Sequence, residues 1–466
     1  MRTAPLSWIG LPLLALAFGP SLGANGAEPA PVPVGVAVVD ITPDYPIRLA
    51  GYGNRKTESE GVESRLKAKA LAIGGDAEGP CVLVTVDNCG VPAGIIDEVA
   101  RRLEASVKLP RERLVVCSTH THTGPVVVGF APYLFGTAIP PAHQAHIDRY
   151  TRELTDAVEK VALAALAARA PGRLAWAQGS VGFAANRRVL KDGRWVGFGV
   201  NPTGPTDTRL PVLKVTDPAG AVRAVLIGYA CHCTTLGGEF NKVCGDWAGY
   251  ACAAIARENP GATVLVVIGC GADANPEPRQ VLDYARQHGG AVAREVARLQ
   301  KGRWTDLPPR IATRFRKIEL PFGKTPTRES LAERAKRSQA DAYFSSVLIG
   351  RLNRGEALPT KMSYPVQTWC FGDALAMVFL GGEVVVDYSL RLNWECVPGK
   401  LWVVAYSNDV PCYIASRRVL SEGGYEADES MTYYGRPTRF APEVEDIIVG
   451  TVHDLLPEAF DGAAQK

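Results

Sequence analysis

Three short blocks hold the residues best suited to chemistry, and each lies at the end of an apolar run. The first is Ser118-Thr119-His120-Thr121-His122-Thr123-Gly124-Pro125. His120 and His122 are two residues apart, so in an extended segment both imidazoles point to one side. Imidazole is the commonest metal ligand among side chains, so the pair suits half of a metal site. It suits two hydrogen-bonded loop histidines equally well. The second block is Tyr229-Ala230-Cys231-His232-Cys233-Thr234-Thr235, where His232 closes an apolar strand. Neighbouring strand residues point to opposite faces, so Cys231, His232 and Cys233 do not easily share one ion. Core filling or a disulfide is expected of both cysteines. The third block is Leu380-Gly381-Gly382-Glu383, ahead of a helical run from Val384 to Leu392. A carboxylate there serves a site, or simply the positive end of a helix dipole. His143, His146, His288 and His453 fall in helical or amphipathic patterns and read as surface or packing residues.

The elements around these blocks alternate between strand and helix. Val34 to Val39, Leu66 to Ile73, Cys81 to Val86, Leu114 to Cys117, Val222 to Ala230 and Val264 to Ile268 are short apolar, β-branched runs that predict strands. Later strands are expected at Ile311 to Leu320, Val366 to Phe371 and Ala374 to Leu380. Apolar residues at helical spacing predict helices over Ala93 to Val107, His143 to Ala168, Tyr250 to Arg257, Val281 to Leu299, Arg328 to Leu352 and Pro442 to Leu456. This alternation predicts an α/β fold, a layered domain with mixed β-sheets flanked by helices. The polar blocks then sit where strands give way to loops, which is where open α/β sheets bind ligands.

The 466 residues suffice for a large buried core. A formal charge of +3, with no long run of one sign, argues against nucleic acid as a partner. It leaves room for contact with an anionic membrane surface. Arg2, the apolar stretch Trp8 to Phe18 and small residues up to Ala27 predict a secretory signal over residues 1–27, and hence a secreted or periplasmic protein. Eleven cysteines are an odd number, so at least one stays unpaired. Most are expected to be buried small residues, with one or two disulfides possible.

The chain resembles the neutral (alkaline, non-lysosomal) ceramidases and their bacterial relatives. The resemblance begins at Gly35-Val36-Ala37-Val38-Val39-Asp40-Ile41-Thr42-Pro43 and Ala50-Gly51-Tyr52-Gly53. It continues through Thr119 to Pro125 and on, in order, over nearly the whole mature chain. It implies one catalytic domain over residues 28–466, without that family's C-terminal immunoglobulin-like domain. It implies a catalytic Zn²⁺ held by two His, one Glu and one Tyr, which fall on His120, His232, Glu383 and Tyr413. The Tyr is assigned from its position after Ser407-Asn408, with a second functional Tyr twelve residues on, at Tyr425. His122 and Asp246 then shape the site, Asp246 by orienting a ligand imidazole.

One departure bears on mechanism. The family carries Gly-Asp-Val-Ser-Pro-Asn with a Ser required for catalysis, and this chain has Ala272-Asp273-Ala274-Asn275-Pro276-Glu277. Asn275 is no nucleophile, but it donates hydrogen bonds to a carbonyl or oxyanion. The resemblance therefore implies zinc-dependent hydrolysis of an N-acyl amide by activated water, with a small-molecule or ceramide-like lipid as substrate. Tyr425, His122 and Asn275 hold the substrate or its oxyanion. Two other readings stay open: a zinc esterase or amidase on another acyl substrate, and a zinc-binding relative without activity. Oligomeric state is not legible.

Overall fold

The computed structural model describes Met1 and residues 31–462. Apart from Met1, the signal segment expected over residues 1–27 lies outside the described residues.

The N-terminal half builds one large sheet. It begins with β1 (Val32–Asp40), β2 (Lys67–Ile73), β3 (Cys81–Val86), α1 (Ala93–Val107) and β4 (Leu114–Ser118). Then come α2 (Pro141–Ala167), β5 (Ala170–Ser180), β6 (Ala184–Asn186) and the hairpin β7 (Arg188–Lys191) with β8 (Arg194–Phe198). Next are β9 (Arg209–Thr216), β10 (Val222–Tyr229), α3 (Asp246–Glu258), β11 (Thr263–Ile268), β12 (Ala274–Pro276), α4 (Leu282–Gln300) and β13 (Thr305–Asp306). The sheet order is β11-β10-β9-β5-β1-β2-β3-β4, with β13 added to β5. The β3–β4 and β10–β11 pairs are parallel, each bridged by a helix, and the other pairs are antiparallel.

The C-terminal half builds a second sheet and its cover. Its elements are β14 (Ile311–Pro321), α5 (Arg328–Arg334), α6 (Gln339–Asn353), β15 (Lys361–Phe371), β16 (Leu375–Leu380), β17 (Glu383–Val384), α7 (Val386–Glu395), β18 (Leu401–Val404), β19 (Tyr413–Ile414), α8 (Arg417–Glu422) and α9 (Val444–Leu455). The order is β14-β15-β16-β18, with β16 and β18 parallel. The mixed sheets and flanking helices are those the sequence predicts.

The two sheets pack face to face. Leu71, Leu83, Leu213, Leu226 and Leu265 of the first meet Trp369, Phe371, Phe379 and Trp402 of the second in one buried cluster. The alternate residues Val82, Val84, Val86, Val225 and Ile227 turn the other way, into the core beneath the helices. Strands buried on both faces read as continuous apolar runs, which is why β3 and β10 are legible in the sequence.

Three expectations are corrected. The single helix expected over Arg328 to Leu352 is two, because the chain turns after Arg334 and Ser338 caps a new helix through its hydroxyl to Asp341 N. Glu383 is not in a helical first turn. It lies on β17, and α7 starts three residues later, its Val386 N–H bonded to the Asp273 carboxylate at 2.9 Å. All eleven cysteines are unpaired, ten of them buried, so the disulfides the sequence allowed do not form.

Leu83 is almost fully buried between the sheets. Leu83→Ala should cost about 3 kcal/mol, read as a lower urea midpoint with an unchanged slope; a cost under about 1 kcal/mol would mean that the sheet–sheet interface is not the close-packed core described.

Candidate metal centre

The polar blocks meet at one edge of the sandwich, beyond the carboxyl ends of the strands. His120 follows β4, His232 follows β10, the Gly269–Gly271 turn follows β11, Glu383 follows β16 and Tyr406 follows β18. Backbone hydrogen bonds tie these loops together: Ala405 N–H to Ile268 O at 2.9 Å, Tyr406 N–H to Gly382 O at 3.0 Å and Ser118 N–H to Tyr406 O at 3.2 Å.

Each imidazole is aimed by its backbone. His120 Nδ1 faces the Cys89 carbonyl at 2.6 Å, and His232 Nδ1 faces the Gly271 carbonyl at 2.8 Å. A carbonyl only accepts, so both Nδ1 atoms carry hydrogen; against its burial, the Glu383 carboxylate raises His120 to about 10, so without a cation its Nε2 is protonated toward that carboxylate, and a bound cation would take the place of that proton. Both Nε2 atoms lie 3.1 Å from the same atom, Glu383 Oε2. Tyr413 joins through strand register. Glu383 and Tyr413 are partners in the parallel β17–β19 pair, and the Tyr413 hydroxyl is 3.3 Å from His232 Nε2. Gly382, at φ 77°, permits this approach, since a Cβ there would stand 2.6 Å from Cys412 O.

His122 converges as expected, its Nε2 3.1 Å from His120 Nε2. The route differs from an extended segment, because His120 adopts a left-handed φ of 57°. The His122 ring rests on Gly51, where a Cβ would come within 2.4 Å of it. Tyr52 meets the same ring edge-on at 5.0 Å.

An arginine that sequence reasoning missed closes the other side. Buried Arg187 donates from Nη2 to the Tyr413 hydroxyl at 3.1 Å and from Nη1 to Asn275 Oδ1 at 3.3 Å, and its Nε pairs with Glu426 at 2.9 Å. Thr234 also donates to Asn275 Oδ1, at 3.1 Å. The carboxamide oxygen is thus doubly bonded, its orientation is fixed, and Nδ2 keeps its hydrogens for another partner. Tyr425 stands edge-on to Tyr413 at 5.3 Å. Tyr434, also missed, donates its hydroxyl to Glu383 Oε1.

The electrostatics suit a cation. Burial alone would raise the Glu383 carboxyl, but the His120 and His232 imidazoles override it and hold it well below the usual range. Burial and the Arg187 charge bring His232 down to about 4. Burial and the other two imidazoles keep His122 well below its ordinary value. Two imidazole lone pairs, a carboxylate oxygen and a phenol oxygen within hydrogen-bond distance repel one another unless a proton or a cation lies among them. Nitrogen and oxygen donors in this number and mixture fit a zinc-like divalent ion. The His120, His232 and Glu383 ligand atoms all lie within 4.8 Å of one another.

Asp246 does not touch an imidazole side chain. Its carboxylate accepts the Leu236 and Trp247 N–H groups, and the Trp247 indole N–H bonds the His232 carbonyl at 2.9 Å, so Asp246 braces the His232 loop instead. Cys231 and Cys233 are core residues. His143 and His146 lie by Glu58, His288 stacks on Phe183 and His453 bonds Glu395, away from the site as expected.

Fold and site together define a layered α/β protein with a buried candidate metal centre at a sheet edge. A family model described as neutral/alkaline non-lysosomal ceramidase, N-terminal, matches residues 33–277, and the chain belongs to that family. It is 25% identical over 267 residues to neutral ceramidase of Drosophila pseudoobscura pseudoobscura, covering 51% of this chain and 34% of that protein. It is 23% identical over 230 residues to neutral ceramidase B of Dictyostelium discoideum, covering 47% and 30%. The matches thus span about a third of those curated relatives. A solved ceramidase complexed with C2 superposes with a TM-score of 0.69 at 16% identity, over 92% of this chain and 76% of that one. Neutral ceramidase from Pseudomonas aeruginosa gives 0.68 at 18%, over 91% and 74%. At such identities the likeness is one of fold.

Tyr434→Phe removes only the hydroxyl that steadies Glu383. It should weaken binding of a divalent metal by roughly ten- to a hundredfold. Unaltered affinity in a competitive chelator titration would exclude that role.

Proposed function

We propose that this protein is a zinc-dependent amidohydrolase that cleaves the N-acyl bond of a ceramide-like lipid, releasing a fatty acid and a sphingoid base. The observation that carries the proposal is the convergence of two imidazole Nε2 atoms on one oxygen of Glu383, at 3.1 Å each. Membership of the ceramidase family supports the substrate class. His120, His232, Glu383 and Tyr413 would hold the ion. When bound there, zinc polarises the scissile carbonyl and lowers the pKa of a water to about 7.

The chain's own groups supply the rest. Burial and the Glu383 charge hold the Tyr413 hydroxyl well above its ordinary range, and Arg187, donating to its oxygen, offsets part of that rise and orients the phenol as a ligand. His122, kept neutral by burial and its neighbours, accepts a proton at Nε2 from the attacking water and returns it to the leaving amine. Asn275 Nδ2 donates to the oxygen of the substrate carbonyl as charge develops there. Tyr425, half-buried, holds the substrate on the solvent side of Tyr413. Asn275 in the place of the family Ser favours attack by water over attack by a side chain. It also gives specific weight to an ester or a different acyl amide as substrate. Export through the N-terminal signal is proposed alongside, and the N-terminal sequence of the mature protein tests it.

Purified enzyme should contain about one zinc per chain and hydrolyse soluble fluorogenic N-acyl amides faster than the matching esters. His120→Ala should lose the metal and at least about a thousandfold of turnover. Full activity in a variant shown by elemental analysis to be metal-free would sink the proposal. Asn275→Ala should keep the metal and lower kcat by about a hundredfold with little change in KM; a loss confined to KM would make Asn275 a binding group only.

A further inference from the structure

Among the described residues, exposed large apolar side chains are few, and three fall within five positions. Val196, Phe198 and Val200 are 55%, 53% and 54% exposed. Val196 and Val200 stand on the outer side of the β7–β8 hairpin and the turn after it, while a β-bulge puts Phe198 on the side of its strand partner Arg188 and of Trp195, whose ring is 5.7 Å away. Single exposed apolar residues are ordinary, but a local cluster marks an interaction surface.

The inner side of the hairpin is fixed. Arg188 pairs with Glu422 and Glu426, and Arg194 donates to the Ser421 carbonyl at 2.8 Å. Trp195 lies against Gly424, where a Cβ would stand 2.3 Å from its ring. The two valines are thus held outward by a hairpin whose other side is bonded to its neighbours. It is also continuous with the candidate site. The Phe198 ring is 4.9 Å from Tyr425, which is 5.3 Å from Tyr413, and Arg187 lies 5.1 Å from the Phe198 centroid. The exposed tip carries Lys191, Asp192 and Arg194, a net positive charge.

We propose that the β7–β8 hairpin is a lipid-surface anchor. Val196 and Val200 enter the interface of an anionic bilayer or micelle, Lys191 and Arg194 meet its head groups, and the Phe198–Tyr425–Tyr413 series leads an extracted lipid to the metal centre. This rests on the lipid reading of the substrate. The geometry matches an interfacial element, apolar on one side and basic at its end.

Flotation with vesicles of phosphatidylcholine alone, or mixed with phosphatidylglycerol, measures the docking without any turnover. The full protein should float with the mixed vesicles, less at high salt and less with phosphatidylcholine alone. Val196→Ser/Val200→Ser should lower partitioning about tenfold, while its melting temperature and its hydrolysis of a soluble short-chain amide stay unchanged. Protein that remains in solution at every lipid composition overturns the anchor, and so does equal partitioning of the double variant. A dimer in sedimentation that the double variant dissolves also overturns it, assigning the edge to a second copy of the chain. Vesicle binding with no amide or ester turnover leaves the anchor standing and removes the hydrolase reading, so the two fail separately.

Discussion

A carboxylate that is 2% exposed cannot stand without compensation, and Glu383 is the group around which this edge of the molecule is organised. One of its oxygens faces two imidazole nitrogens and the other accepts a tyrosine hydroxyl. The arrangement is poor as a set of hydrogen bonds among neutral imidazoles, because acceptors face acceptors. It is good as a ligand set. Groups that are individually costly to bury become mutually supportive once positive charge lies among them, which is the logic by which metal affinity becomes stability.

Holding that geometry requires backbone precision. Residues with left-handed φ gather along this edge: His120 at 57°, Tyr406 at 52° and Asn408 at 63°. Each is a conformation that side chains rarely adopt, sustained only where surrounding structure over-determines it. Here the surroundings do so. Asn408 N–H bonds the Val116 carbonyl, its carboxamide oxygen accepts the Val116 N–H, and its nitrogen donates to Gln367. The Tyr406 ring lies against the His120 ring, centroids 4.3 Å apart and tilted by 30°. The large sandwich core is the rigid body against which these short, strained loops are braced.

What the sequence revealed follows from what periodicity can report. Strands buried on both faces, such as Cys81–Val86, and amphipathic helices, such as Ala93–Val107, come out at their observed bounds. Strand β5, Ala-Pro-Gly-Arg-Leu-Ala-Trp-Ala-Gln-Gly-Ser, was not legible, because its Pro and Gly residues interrupt any run. The two histidines were visible because they end apolar strands. Glu383 and Tyr413 were found by likeness, since their pairing is a register between two-residue strands that no local pattern encodes. Arg187 and Tyr434 carried no signal at all. A buried arginine is recognisable only with its partners, and Glu426 is 239 residues away.

That distant partner bears on how a cation is admitted. Arg187 places a guanidinium 3.4 Å from His232 Nε2, and on its own this charge would repel any ion held by the same nitrogen. Burial weakens screening, so the repulsion would be severe. Glu426 offsets part of it by pairing with Arg187 Nε while also accepting from Arg188, and Glu422 completes a quartet of two arginines and two glutamates. What then faces the centre from Arg187 is its Nη donors, directed at the Tyr413 hydroxyl and the Asn275 oxygen. The phenol oxygen is oriented toward the centre and the carboxamide is held with its nitrogen free. The same quartet secures the inner side of the β7–β8 hairpin through Arg188, so the charge balance that makes the centre hospitable to a metal also fixes the element beside its mouth.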